Sequence, residues 1–182
     1  MMRLENKDDF ERARERLRRR DPDALAAFLM SLAGDSGPVG EQVRTFIIGD
    51  DVAEAAKSVR QRIRGLDGVS EYEHRHSFGR EIGTTLDFIV DSVERLVLPN
   101  DPKASFELLV TLFEADAVAM ENCHEHDWDV TCAYKRAAEV IAEAAKYLPR
   151  TEVEGRVRAL VDGDRYGVRA ILTTVLSEEQ AG

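Results

Sequence analysis

Apolar residues in this chain recur every three or four positions in nearly every segment, and nowhere do they alternate convincingly with a period of two. Residues three and four apart share one face of a helix, whereas a strand turns alternate residues to the same side. A chain patterned this way has one economical solution, which is to pack helices on helices. The spacing therefore predicts an all-α fold with about nine helices.

The helix boundaries follow from local chemistry. Asp21-Pro22 and Asp101-Pro102 each combine a capping carboxylate with a proline suited to the first helical position. Their recurrence 80 positions apart reads as a common helix start rather than a duplication. Phe10, Ala13 and Leu17 mark a first helix. Leu25, Phe28, Leu29 and Leu32 form the expected buried stripe of a second, ended by Gly34. Val39, Val43, Phe46 and Ile47 mark a third. A fourth, capped by Asp50 or Asp51, carries Val52, Ala56, Val59 and Ile63 on one face. In the fifth, Ile82, Leu86, Ile89, Val93 and Leu96 recur until Pro99 stops the helix. A sixth runs from Asp101 to about Glu121. Phe106, Leu109 and Phe113 lie on one side of it, Leu108 and Leu112 on another, with a narrow polar strip of Glu107, Thr111, Glu114 and Glu121. A helix this apolar belongs at the centre of the fold. Asp127 is the expected cap of the seventh, which has Val130, Tyr134, Ala137 and Ile141 inward and Lys135, Glu139, Glu143 and Lys146 outward. Thr151 and Glu154 match a capping box for the eighth. Val168, Ile171, Leu172 and Val175 mark the last. Short turns between serial helices predict antiparallel hairpins stacked in a repeat-like array. The expected organisation is one domain, 1–182.

Charge narrows the function classes. The net charge of −10 argues against nucleic acid, whose phosphates need a basic surface, and against anionic membranes. No apolar run approaches the roughly 20 residues that span a bilayer. The first ten residues are polar and acidic, without the pattern of a secretory signal, and Cys123 and Cys132 make no disulfide framework. These features predict a cytoplasmic protein.

All four histidines fall in two His-x-His pairs, Glu71-Tyr72-Glu73-His74-Arg75-His76 and Cys123-His124-Glu125-His126-Asp127. Imidazole, thiolate and carboxylate bind metals and move protons near neutral pH. In a turn, Cys123, His124, His126 and Asp127 could supply ligands to one divalent ion together with His74 and His76. In a regular helix, residues two apart diverge too far to do so. The order of His74 or His76, then His126-Asp127, then Asp162 or Asp164 resembles the metal-dependent HD-type phosphohydrolases, in which a bound metal activates water. In those enzymes the His-Asp pair lies in an apolar helix, whereas here its surroundings are polar. The competing expectation is a pair of solvated turns with no cofactor. Cys123 reads as an inert thiol at a helix end rather than a nucleophile. Gly79 and Gly83 would let another helix approach closely.

Two features point to partners instead. Arg12, Arg14, Arg16, Arg18, Arg19 and Arg20 form the one basic run. Arg16 and Arg19 are candidates to dock an acidic partner, although cations at a helix C-terminus also complement its dipole. Trp128, the single tryptophan, is expected to cover the core; exposed at a helix start it would anchor a partner.

Asn100-Asp101-Pro102 with the apolar residues after it, the Cys123 turn, and Asp164-Arg165-Tyr166-Gly167-Val168 occur in an order and spacing that resemble an uncharacterised family of bacterial all-helical proteins. Members of that family often accompany SWIM-type zinc-finger segments. The resemblance covers about Val52 to Leu176. It implies stacked helical hairpins of the HEAT or TPR kind and no activity. In the family the turn after the cysteine is rich in Asp with a Gly, and this chain has histidines and a tryptophan there. The resulting expectation is a non-enzymatic interaction module or scaffold for an unknown protein partner; the alternative is an HD-like phosphohydrolase.

Overall fold

The structure, a computed structural model, describes residues 7–34, 38–48, 51–66, 78–122 and 128–177. Among them there is no strand, and the all-α expectation holds. Eight helices have 11 residues or more, one fewer than expected, and two short ones accompany them. The chain forms two compact units, Met1–Gly49 and Asp50–Gly182.

The first unit holds α1 (Lys7–Arg18), α2 (Pro22–Ala33) and α3 (Pro38–Ile48). Asp21 caps α2 as expected, its carboxylate accepting the Ala24 N–H at 3.0 Å. α2 and α3 pack on each other, and the Arg44 guanidinium of α3 donates to the Ala33 carbonyl at the end of α2. The expected buried stripe of α2 is not buried. Leu25, Leu29 and Leu32 are half-buried and Phe28 is exposed. A pair of short helices can turn only one flank of each toward the other, so much of an apolar face stays in water.

The second unit contains α4 (Val52–Gly65), α5 (Phe78–Ser92), α6 (Pro102–Glu114), α7 (Asp116–Asn122), α8 (Trp128–Ala145), α9 (Arg150–Asp162) and α10 (Thr173–Ser177). Asp51, rather than Asp50, caps α4 by accepting the Glu54 N–H. Asp101 caps α6 in the same way, with its carboxylate 2.9 Å from the Ala104 nitrogen. α5 ends in a π turn, Val93–Val97, with the Leu98 N–H bonded to the Val93 carbonyl. The wider turn rotates each residue less. Val97 therefore falls back onto the buried stripe, and Leu96, expected there, moves to its edge.

α6 is the central helix. It buries seven residues, with Phe106, Leu109 and Phe113 fully enclosed, and it touches α4, α8 and α9. The Phe113 ring meets Tyr134 of α8 at a centroid distance of 5.1 Å and a tilt of 51°. The expected continuous helix to Glu121 breaks at Ala115, and α7 restarts at Asp116. The capping box expected at Thr151 and Glu154 is also replaced. α9 begins two residues earlier, with Pro149 as N-cap, and Glu154 pairs instead with Arg150 at 2.6 Å and Arg158 at 3.2 Å. The Arg150 hydrogen bond comes first among the causes that hold the Glu154 carboxyl below its ordinary pKa. The last helix is shorter than expected: Arg169–Leu172 form a 3-10 turn before α10.

The most extensive interface joins α5 and α8, which are not consecutive in sequence. Small residues allow the approach. Gly83 of α5 lies so near the start of α8 that an added Cβ would sit 2.6 Å from the Asp129 Cβ and 3.0 Å from its carbonyl carbon. The close approach read from the sequence is thus found at Gly83; the Gly79 side is not among the described side chains. Gly83→Ala should destabilise the protein by about 1–3 kcal/mol, because the obstacle includes backbone and cannot rotate away. Gly155 in α9 has open space around it, and Gly155→Ala should instead stabilise by about 0.5–1 kcal/mol through helix propensity. Denaturant titration of both variants checks the opposite signs; equal signs would mean the α5–α8 approach is wrong.

Candidate functional site

His74, His76, His124, His126, Asp127 and Cys123 lie outside the described residues. Among the described residues, no group of three or more His, Cys, Asp and Glu is arranged to hold a metal ion. Asp164, a candidate for the distant carboxylate of an HD-like site, is described, and its carboxylate is fully engaged. One oxygen accepts the backbone N–H groups of Tyr166 (3.1 Å) and Gly167 (2.8 Å), and the other accepts those of Arg169 and Ala170, both at 3.0 Å. Gly167 has φ +79°, a left-handed conformation in which a side chain is strained. That turn folds the chain around Asp164 and starts the 3-10 turn. A carboxylate bound by four donors shapes a loop; it has little capacity left to ligate a cation.

The same turn aims Arg169 inward. Its guanidinium clasps Asp116 of α7 with two bonds of 2.6 Å, Nε to Oδ2 and Nη2 to Oδ1. Asp116 is fully enclosed and the Arg169 side chain only 14% exposed. The hydrogen bond to Asp116, ahead of the opposing effect of burial, holds the Arg169 pKa above its ordinary value. Nearby, the Tyr166 hydroxyl donates to Glu121 at 2.5 Å, a contact that raises the phenol's pKa. Asp116, Glu121, Asp164, Tyr166 and Arg169 therefore form one polar latch, which fastens the C-terminal turn onto α7. The importance of Asp116 goes unread in the sequence. The signal was present: a carboxylate three residues after Phe113, on the continuation of the apolar stripe, has to find a buried partner.

A second polar cluster lies on the α5–α8 interface. Arg136 of α8 bonds Asp87 (2.9 Å), Asp91 (3.0 Å) and Glu94 (2.6 Å), and Asp91 also holds Arg95 at 2.9 Å. Partial burial opposes the Arg136 charge. The hydrogen bonds it donates to Glu94, Asp91 and Asp87 more than offset it, so its pKa lies above the ordinary guanidinium value. Arg156 of α9 reaches Glu107 at 3.2 Å and Glu114 at 3.7 Å, and Lys103 of α6 reaches Glu152 at 3.0 Å. These pairs tie helices together and present no nucleophile.

The outward side chains of α8 fall where the sequence puts them: Lys135, Glu139 and Glu143 are exposed. Trp128 stands at the first turn of that face, and its expected place over the core is corrected. It is 75% exposed, since it precedes the first buried residue of α8, Val130, by two positions and so points away from it. Tyr147, just past the other end of α8, is exposed as well. Cys132 is a free, exposed thiol on the same helix. In α1, Arg16 and Arg19 are exposed, and Arg19 pairs with Glu15 at 3.1 Å. That pairing favours helix stabilisation over a free basic patch. No helix among the described residues is long and apolar enough to cross a membrane. No family model, curated protein or solved structure matches this chain.

Proposed function

We propose that this protein is a non-enzymatic interaction module that binds a protein partner, and that it belongs with the bacterial helical proteins it resembles. The observation that carries the reading is a contrast. The buried charged groups of the second unit are spent on one another in internal latches, while Trp128 stays largely in water at the start of its longest helix. An exposed tryptophan is costly to leave unused and is the residue type most enriched at binding hot spots. The engagement of Asp164 by four backbone donors weighs against a hydrolase that uses it as a metal ligand.

The test is affinity capture with the full chain, followed by titration calorimetry with the captured protein. Trp128→Ala should weaken binding by about 30-fold, the usual loss for a hot-spot aromatic. Unchanged affinity would remove Trp128 from the interface. Hydrolysis of a phosphate ester by the purified chain with a divalent metal, lost in Asp127→Ala or His126→Ala, would replace the module by the enzyme.

A further inference from the structure

Cations of the second unit are mostly spent on its own carboxylates. Arg136 of α8 and Arg150, Arg156 and Arg158 of α9 each hold one. Lys57, Arg60 and Arg64 of α4 are different: all three are exposed, and none reaches a carboxylate among the described residues. They are three and four positions apart. They therefore line one side of α4 over roughly 10 Å, turned away from the buried Ala55, Val59 and Ile63. The single carboxylate of the helix, Glu54, lies at its first turn. Arg62, on the flank, stacks on the Phe88 ring at 4.4 Å. Like charges at this spacing repel and weaken a helix. Of the three, only Arg64 lies in the last turn, where a cation complements the helix dipole. Helix stability therefore does not account for the arrangement.

We propose, resting on the interaction reading, that this outer side of α4 docks an acidic segment of a protein partner, with carboxylates recurring every three or four residues as on one side of a helix. Charge complementarity favours that occupant. Residues 1–49 carry equal numbers of acidic and basic side chains, so the net charge of −10 falls on residues 50–182, and the stripe on α4 reverses the sign locally. Arg60 and Arg64 offer a carboxylate two parallel donors each, and Lys57 offers a point charge. Carboxylates placed there also relieve the repulsion between the three cations. The stripe is one helix wide, and this limits the partner. A broad polyanion such as a membrane or duplex DNA also faces the surplus carboxylates of the unit, since charges act over a screening length of roughly 8 Å. A segment as narrow as a helix can meet the stripe without them. The basic run of α1 is the weaker candidate for an acidic partner, because Arg14, Arg18 and Arg19 pair with Glu11 and Glu15 there.

Fluorescence anisotropy with the full chain tests this. The probe is a labelled, alanine-based helical peptide with glutamates at three- and four-residue spacing, and its control is the same peptide with glutamines. The wild type should bind the glutamate peptide and not the glutamine one, and rising salt should weaken the complex. Arg60→Gln combined with Arg64→Gln should raise the dissociation constant about ten-fold or more. Both side chains are exposed, so far-ultraviolet circular dichroism of this variant should match the wild type. Arg12→Gln combined with Arg20→Gln, in and just after α1, should leave binding unchanged. A wild type that ignores the glutamate peptide, or binding indifferent to the Arg60 and Arg64 substitutions, would overturn the proposal. So would tighter binding to phosphatidylserine vesicles or duplex DNA than to the peptide. A captured protein whose affinity falls with Trp128→Ala and not with the Arg60 and Arg64 substitutions would overturn the acidic segment and leave the interaction reading standing. No peptide binding and no captured protein would overturn both.

Discussion

Arg169→Ala is expected to destabilise the second unit by about 3–5 kcal/mol, the range for breaking a buried ion pair from one side. The loss comes from the partner left behind. Asp116 is fully enclosed, and without the guanidinium its carboxylate keeps neither a counter-charge nor the two 2.6 Å hydrogen bonds. Removing both charges is a different experiment. Asp116→Leu combined with Arg169→Met should recover most of the stability, because apolar replacement of a buried pair is often neutral. Urea titrations of the single and double variants measure the two numbers. A single-variant loss below about 1 kcal/mol, or a double variant as weak as the single, would mean the latch is not a buried ion pair.

Phe113→Ala should cost a similar amount, about 3–5 kcal/mol. Phe113 sits where α6 meets α8, fully enclosed and against the Tyr134 ring. Truncation leaves a cavity between two helices that are themselves held by other neighbours, so the walls cannot collapse to fill it. Phe28→Ala in α2, the same truncation on an exposed ring, should change the stability of the second unit by less than about 0.5 kcal/mol. Equal effects at the two positions, read from the same denaturant curves, would mean that α6 is peripheral.

Much of the fold is legible in the sequence because helix starts and stripes are local. Asp21, Asp51 and Asp101 each cap the helix that follows them, and the inward and outward residues of α8 separate as their spacing predicts. Features that depend on a distant partner are harder to read. Asp116 and Arg169 are 53 positions apart, and nothing near either residue names the other. The π turn after α5 shifts the buried position from Leu96 to Val97, and a fixed helical period cannot foresee it. Trp128 is misread because an aromatic next to an apolar stripe looks like core until the first turn of α8 sets its direction. The candidate metal residues, His74, His76, His124, His126 and Asp127, fall outside the described segments, and their reading stands on spacing alone.

The two Asp-Pro openings separate what the sequence determines from what the tertiary structure decides. Both place a carboxylate at the N-cap and a proline at the first turn, and both start a helix with the same hydrogen bond. Each is followed by a similar apolar stripe. Yet α6 buries seven residues and α2 buries none. Capping and propensity act over three or four residues, so the sequence alone determines that a helix begins at each site and which face is apolar. Burial depends on how many other helices arrive to cover that face. Around α6 gather α4, the π turn at the end of α5, α7, α8 and α9, and against α2 within its unit there is α3.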